Sequence, residues 1–263
     1  MKPFIKWAGG KRWLLNEPSF ELPHFSGRYI EPFLGGGAIF FHLAPPVAII
    51  SDVNKRLIET YRSIRDEWRL VQSCLAELQE SHSKQFYYEE RRREHVISHR
   101  RAAQFLYLNR TCFNGLYREN LKGHFNVPLG TKTQVTLLDD DFERASEMLS
   151  RADLRSSDFE AVVAEATDGD LVFLDPPYTT AHNCNGFVKY NQKIFTWDDQ
   201  KRLMEAVRCA KQRGAQIVLT NADHVSIHEL YVGLGTPRVV SRPSVIAGSA
   251  QSRRGTTEAL FVF

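Results

Sequence analysis

Cysteine is scarce in this chain. Cys74, Cys112, Cys184 and Cys209 are the four present in 263 residues, and no two lie close together. Such spacing supports neither a disulfide framework nor a zinc-ligand pattern, and a cytoplasmic setting is expected. Long apolar runs are missing too. None approaches the length needed to cross a bilayer, and the N-terminus has no signal-peptide core, so no membrane partner is expected. Charge of one sign is not in excess either, because a formal net charge of +3 does not by itself demand a polyanionic partner. The chain has no internal repeat and no low-complexity segment. What remains, 43% hydrophobic and 25% charged, is an ordinary globular composition. The length suits one large domain or a domain carrying an insertion.

Basic residues are nevertheless clustered: Arg91-Arg92-Arg93, Arg100-Arg101, Arg110, Arg118, Lys122 and Arg253-Arg254. Clusters of this kind can neutralise phosphates and release counterions. For Arg91 to Arg101 the plainer reading is a solvated helix face, with Glu89, Glu90 and Glu94 as counter-charges.

Strands alternate with helices along most of the chain. Residues 28–34, 47–51, 154–157, 171–174, 216–220 and 259–263 read as strands. Helices are expected over 54–67, 68–80, 102–108, 140–150 and 199–213, with Gly214 positioned to stop the last. This alternation implies an α/β sheet with helices on both faces. Between Thr111 and Lys132 the periodicity breaks. Asn114-Gly115, Lys122-Gly123 and Leu129-Gly130 are turn signals, so the stretch reads as an inserted hairpin or loop module.

The apolar run Leu171-Val172-Phe173-Leu174 ends in Asp175-Pro176-Pro177-Tyr178. Consecutive prolines cannot continue a ladder, and they hold the residue before them extended. A carboxylate, a carbonyl with no ladder partner and a flat ring then stand together at a strand end, a suitable clamp for a planar amino group. A bare Asp-Pro would be read only as a turn. A second motif, Glu31-Pro32-Phe33-Leu34-Gly35-Gly36-Gly37, closes the first strand and allows close backbone approach to a ligand. The next strand ends at Asp52, where an acidic residue can grip ribose hydroxyls. The spacing is shorter than in the dinucleotide fingerprint, and Gly-Gly-Gly is not G-x-G-x-x-G. A nucleoside cofactor is therefore favoured over a dinucleotide.

On these residues the chain resembles the DNA adenine-N6 methyltransferases, most closely the Dam-like group. Phe33 to Gly37 is similar to that group's cofactor loop, and Asp175 to Tyr178 to its D-P-P-Y motif. Lys6-Trp7-Ala8-Gly9-Gly10-Lys11 resembles its N-terminal cofactor-binding stretch. Asn114-Gly115-Leu116-Tyr117-Arg118, followed by Phe125-Asn126-Val127-Pro128, resembles the DNA-reading hairpin of members that modify GATC. The resemblance implies a Rossmann-like α/β methyltransferase sheet at 1–54 and 139–263, with a target-recognition insertion at 55–138. It implies S-adenosylmethionine as cofactor, held by Trp7, Lys11, Pro32, Phe33, Gly35, Gly37, Asp52, Asp158, Phe159 and Asp175. Asp175, Pro176 and Tyr178 would act on the adenine, and Phe113, Asn114, Leu116, Arg118 and Pro128 would contact double-stranded DNA. The expected enzyme is a monomer or weak dimer in a bacterial or phage-infected cell; partnership with a restriction nuclease, host regulation and phage origin all stay open.

Relatives that methylate RNA or protein amides more often carry Asn before Pro-Pro, and a DNA-binding module without catalysis would not need Trp7, Lys11, Asp52 and Asp175 together. Ser249 to Gly255 reads as a flexible basic loop, and the turn with Asn183, Asn185 and Gly186 as mobile. His95/His99 and His224/His228 have i,i+4 spacing but no obvious third ligand, so no metal is assigned.

Overall fold

Among the described residues, the alternation read from the sequence is carried by seven short strands: β1 (Tyr29–Glu31), β2 (Ala48–Ser51), β3 (Ala152–Arg155), β4 (Leu171–Leu174), β5 (Gln216–Ala222), β6 (Arg238–Arg242) and β7 (Thr256–Val262). This computed structural model describes residues 1–18, 20–120, 123–181, 195–242 and 256–263. The strands form one sheet in the order β3-β2-β1-β4-β5-β7-β6. It is mostly parallel: β4 lies between β1 and β5 and is parallel to both. β7 runs antiparallel between β5 and β6. This is the mixed α/β sheet expected of a Rossmann-like methyltransferase fold. Among the described residues no helix is long and apolar enough to cross a membrane.

The chain divides into two compact units. The first comprises Met1–Glu17, Leu34–Ala48 and Asp52–Ser156. Within it lie α1 (Ala38–Leu43), α2 (Lys55–Glu80), α3 (Lys84–Glu90), α4 (Ser98–Thr111) and α5 (Phe142–Leu149). Asn54 starts α2 by accepting the Leu57 N–H, and Leu57, Ile58, Tyr61 and Ile64 form its buried face. The two helices expected over 54–67 and 68–80 are run together across a kink. Glu67 has non-helical angles (φ −139°, ψ 30°), and its carboxylate reaches Ser98 Oγ and His99 Nδ1 at 2.8 and 2.7 Å.

From Ala102 to Thr111 every residue of α4 is buried, and its polar side chains find internal partners, with Arg110 Nε left without one. Gln104 donates to the Glu90 and Arg93 carbonyls at 2.7 Å each. Asn109 exchanges hydrogen bonds with the Lys6 backbone at 3.0 and 2.8 Å. Arg110 forms a bidentate pair with Asp140, both contacts at 2.7 Å. The basic clusters therefore need correction. Arg110 is buried in an ion pair and is not available to phosphate. Nor do Arg91 to Arg101 form one helix face: α3 ends at Glu90, a turn follows, and α4 begins at Ser98. Arg100 and Arg101 pair with Glu77 and Glu59 of α2, and Arg93 with Glu90.

The second unit comprises Pro18–Phe33, Ile49–Ser51 and Ser157–Phe263. Among its described residues lie the helices α6 (Phe159–Val163), α7 (Trp197–Gln212) and α8 (Val225–Tyr231). All four residues of β4 are buried, each large apolar side chain contributing about 1.5–3 kcal/mol relative to exposure. Val172 and Leu174 pack in a core with Ile30, Val162, Leu203, Ile217, Leu219 and Phe261. Asp170, just before β4, accepts the Arg28 backbone N–H and pairs with its guanidinium, both at 2.7 Å, tying the entries of β1 and β4 together. A reciprocal capping box of Thr196 and Asp199 opens α7.

The spaced histidines do not share helix faces. His95 precedes α4 and bonds Glu90 at 2.6 Å, whereas His99 bonds Glu67. His224 is the N-cap of α8, and His228 faces Asp223 at 3.0 Å. The i,i+4 metal-site spacing is thus not realised on a helix. Lys122, Cys184, the turn with Asn183, Asn185 and Gly186, and the basic loop Ser249 to Gly255 lie outside the described residues.

Candidate active site

The first unit builds a cradle around the glycine loop. Gly35 and Gly37 have φ of +48° and +67°, a region costly for residues with a Cβ. A Cβ on Gly35 would stand 2.6 Å from Trp7 Cδ1, so the indole lies directly on the loop. The Gly35 N–H donates to Asp52 Oδ2 at 3.0 Å, and the Asn54 N–H donates to Oδ1 at 2.9 Å. Each carboxylate oxygen is oriented by one backbone donor and retains a further acceptor direction. Burial raises the Asp52 pKa above the ordinary aspartate range, and the Asn54 and Gly35 donors oppose that rise. From the other side, the Tyr61 hydroxyl donates to the Gly35 carbonyl at 2.8 Å. Lys11 is buried rather than on the surface, and its ammonium bonds the Gly9 carbonyl at 2.8 Å. Trp7, Gly35 and Asp52 are therefore brought together, and Tyr61 is a member that no sequence motif marked.

The same unit carries the hairpin. Antiparallel bridges join Cys112 to Leu129 and Glu119 to Phe125, with further backbone bonds from Phe113 N–H to the Pro128 carbonyl (2.8 Å) and Asn126 N–H to the Arg118 carbonyl (3.1 Å). Asn114 (φ 56°) and Gly115 (φ 63°) form the expected Asn-Gly turn. Phe113, Asn114 and Arg118 are exposed, and Arg118 Nε bonds Asn126 Oδ1 at 2.9 Å.

In the second unit, Asp175 stands at the end of β4. Thr220 of β5, fully buried, donates its hydroxyl to Asp175 Oδ1 at 2.8 Å. Pro176 is buried, and Pro177 and Tyr178 are half-buried. The Tyr178 hydroxyl donates to Glu258 Oε2 of β7 at 2.6 Å, which fixes the ring. Burial, then the charges of Asp175 and Glu258, push the Tyr178 phenol well above its usual range, so it stays protonated. Thr220 and Glu258 were not legible beforehand; each acts across the sheet on a residue far away in sequence. The turn continues into Thr179, whose hydroxyl bonds the Phe195 carbonyl at 2.7 Å.

A second aromatic group forms around Phe33. Its ring stacks on Phe159 (centroids 5.4 Å apart, 26° between planes), and Phe195 meets both edge-on or tilted. Asp158 caps α6 through the Glu160 N–H and pairs with Arg202 at 2.8 Å. Arg202 in turn lies over the Phe159 ring. Among the described residues no group of acidic, histidine and cysteine side chains is arranged to hold a metal. The first unit thus offers a carboxylate-bearing glycine loop; the second offers a clamped carboxylate with a rigid turn, and stacked aromatics beside an acidic cap.

Residues 7–245 match a family model described as D12 class N6 adenine-specific DNA methyltransferase. The chain is 35% identical to "Type II methyltransferase M1.LlaDCHI" of Lactococcus lactis subsp. cremoris, over all of this chain and 95% of that protein. It is 30% identical to a "DNA adenine methylase" of Vibrio cholerae, over all of this chain and 96% of that protein. With a "DNA adenine methylase" of Escherichia coli K12 it shares 31% identity over 88% of this chain and 84% of that one.

Proposed function

Because the chain belongs to the D12 class of N6 adenine-specific DNA methyltransferases, we propose that it transfers a methyl group from S-adenosylmethionine to N6 of an adenine flipped out of duplex DNA, within GATC. The observation that carries this reading is the strand-end clamp: Asp175 held by Thr220 at 2.8 Å, followed by two prolines and a tyrosine ring fixed through Glu258. An adenine amino group is a poor nucleophile, since its lone pair is delocalised into the ring. The Asp175 carboxylate and the Pro176 carbonyl accept its two hydrogens, favouring the positive charge that develops on nitrogen. Tyr178 stacks on the base, returning about 1–3 kcal/mol against an unstacking cost of a few kcal/mol.

The residues fit a nucleoside cofactor. Asp52 is oriented on the glycine loop with acceptor directions for ribose hydroxyls. Trp7, Lys11, Gly35 and Gly37 complete the cradle. Pro32, Phe33, Asp158 and Phe159 supply flat apolar contact and an acceptor for an adenine ring, and Asp175 is assigned to the cofactor as well as to the base. S-adenosylmethionine supplies a methyl group already activated on a sulfonium, so the protein's task is positioning and stabilisation of charge. No metal takes part in this scheme.

Residues 55–138 are assigned to target recognition. Arg118 presents the donor pair for guanine O6 and N7, worth about 1–3 kcal/mol of discrimination. Leu116 and Pro128 make apolar contacts to base edges, while Phe113 and Asn114 fill the space vacated by the flipped base. Plasmid exposed to the protein and S-adenosylmethionine should resist a nuclease blocked by GATC methylation; full sensitivity refutes the assigned sequence. Arg118→Ala should retain methyl transfer but spread it to sites altered at the guanine.

A further inference from the structure

Tyr117 sits between two residues assigned to base reading, Leu116 and Arg118, yet its side chain is engaged elsewhere. Successive residues of an extended segment point to opposite faces, and here Arg118 is exposed while Tyr117 is half-buried. The Tyr117 ring stacks on Trp7, with centroids 5.5 Å apart and planes 21° from parallel. Phe105 of α4 and Phe125 of the hairpin hold it from other sides at 4.8 and 5.5 Å. Its hydroxyl donates to Glu119, and the Asn54 side chain lies near enough to oppose the rise that burial gives the phenol pKa. Trp7 lies on Gly35, and Asn54 both caps α2 and donates its N–H to Asp52. One hairpin side chain therefore stacks on one arm of the cradle, the indole over the glycine loop, and lies near the other, the residue that orients the carboxylate.

We propose that Tyr117 is a positioning residue that couples the recognition hairpin to the cofactor cradle, so that duplex DNA and cofactor each strengthen binding of the other. Engagement of Arg118 and Leu116 fixes the backbone on either side of Tyr117. The ring is then held against Trp7 and beside Asn54, and the geometry of Gly35 and Asp52 follows. Coupling of this kind is reciprocal: the factor by which duplex tightens the cofactor site equals the factor by which cofactor tightens duplex. The inference rests on the function proposed above, since it takes the hairpin to bind DNA and the cradle to bind a nucleoside cofactor.

The test uses the full chain and S-adenosylhomocysteine as probe. Its affinity is measured by calorimetry with and without a short GATC duplex, and duplex affinity by anisotropy with and without the probe. Wild type should show a coupling factor within roughly 5- to 150-fold, the same from both directions. Tyr117→Phe keeps the ring and should keep most of that factor. Tyr117→Leu should bring it close to one while duplex affinity without probe changes only a few-fold. A structural role alone would lower both affinities and leave the factor intact. Hydrogen exchange on wild type gives a second reading that needs no variant: duplex without cofactor should slow exchange at residues 5–10 and 34–37 as well as in the hairpin. A wild-type factor of one, an undiminished factor in Tyr117→Leu, or unchanged exchange at 34–37 overturns the coupling. If adenine is methylated while the factor is one, only this inference fails; if neither probe nor duplex binds, the proposed function fails with it.

Discussion

Removing one methyl-sized hydroxyl from β5 tests whether the carboxylate at the end of β4 is a positioned catalytic group. Thr220 is fully buried, and its single hydroxyl proton has two acceptors in reach: Asp175 Oδ1 at 2.8 Å and the Leu174 carbonyl at 3.4 Å. The shorter contact to a charged oxygen takes it. Thr220→Val keeps the volume and β-branching that suit the strand but puts a methyl against the carboxylate. A hydrogen bond to a charged group contributes about 1.5–3 kcal/mol, so losing it should slow methyl transfer roughly 10- to 100-fold. Asp175 is only half-buried and can recover water, so the loss should fall on its orientation more than on folding, with Tm moving by a few degrees at most. Single-turnover transfer to a duplex, with duplex affinity measured separately, isolates the effect. Thr220→Ser retains the hydroxyl and should recover most of the rate. Wild-type rate in a folded Thr220→Val protein, or equal slowing in Thr220→Ser, refutes the argument.

Three further expectations follow from the same geometry. Burial raises the Asp170 carboxyl, but Arg28 and the Thr167 N–H outweigh it and leave its pKa depressed. The resulting stability is present above the ordinary aspartate value, near 3.9, and is lost as pH falls through the folded pKa. Asp170→Asn should therefore cost about 1–2 kcal/mol at pH 7, Arg28 being partly solvated, and give a flatter Tm profile below about pH 4 than wild type; parallel profiles contradict this. Tyr178→Phe should keep substantial methyl transfer, because the ring face survives, while lowering stability by about 1–3 kcal/mol as the buried Glu258 loses a donor. Denaturant unfolding beside a rate assay separates the two effects, and an unchanged midpoint argues against the anchoring role. Gly35→Ala meets both the left-handed backbone and the Trp7 ring, so S-adenosylhomocysteine binding should weaken by about tenfold or more, and calorimetry showing unaltered affinity contradicts the cradle.

The parts of this fold legible in sequence were those encoded locally. The apolar run 171–174 and its Asp-Pro-Pro-Tyr end appear as a strand and a rigid turn, because each of those residues restricts its own backbone. The boundary read at residue 67 coincides with the kink in α2. Helices α6 and α8, of five and seven residues, are too short to display a periodicity, and β6 and β7 pair antiparallel at an edge that alternation alone does not reveal. Partnerships set by sheet order were equally hidden: Thr220 lies 45 positions from Asp175, and Glu258 lies 80 from Tyr178. Arg110 shows the converse. Its charge reads as surface, yet Asp140 is 30 residues further on, and it is the packing of α4 that buries the pair.

The central claim is that Asp175 and its turn hold an adenine amino group for methylation. Its most direct measurement is transfer of labelled methyl from S-adenosylmethionine to duplex DNA, with the modified position mapped, for wild type and Asp175→Ala side by side. Label on adenine N6 from wild type, and none from a folded Asp175→Ala protein, is the expected result. Full transfer by Asp175→Ala, or label on any other base, would contradict it.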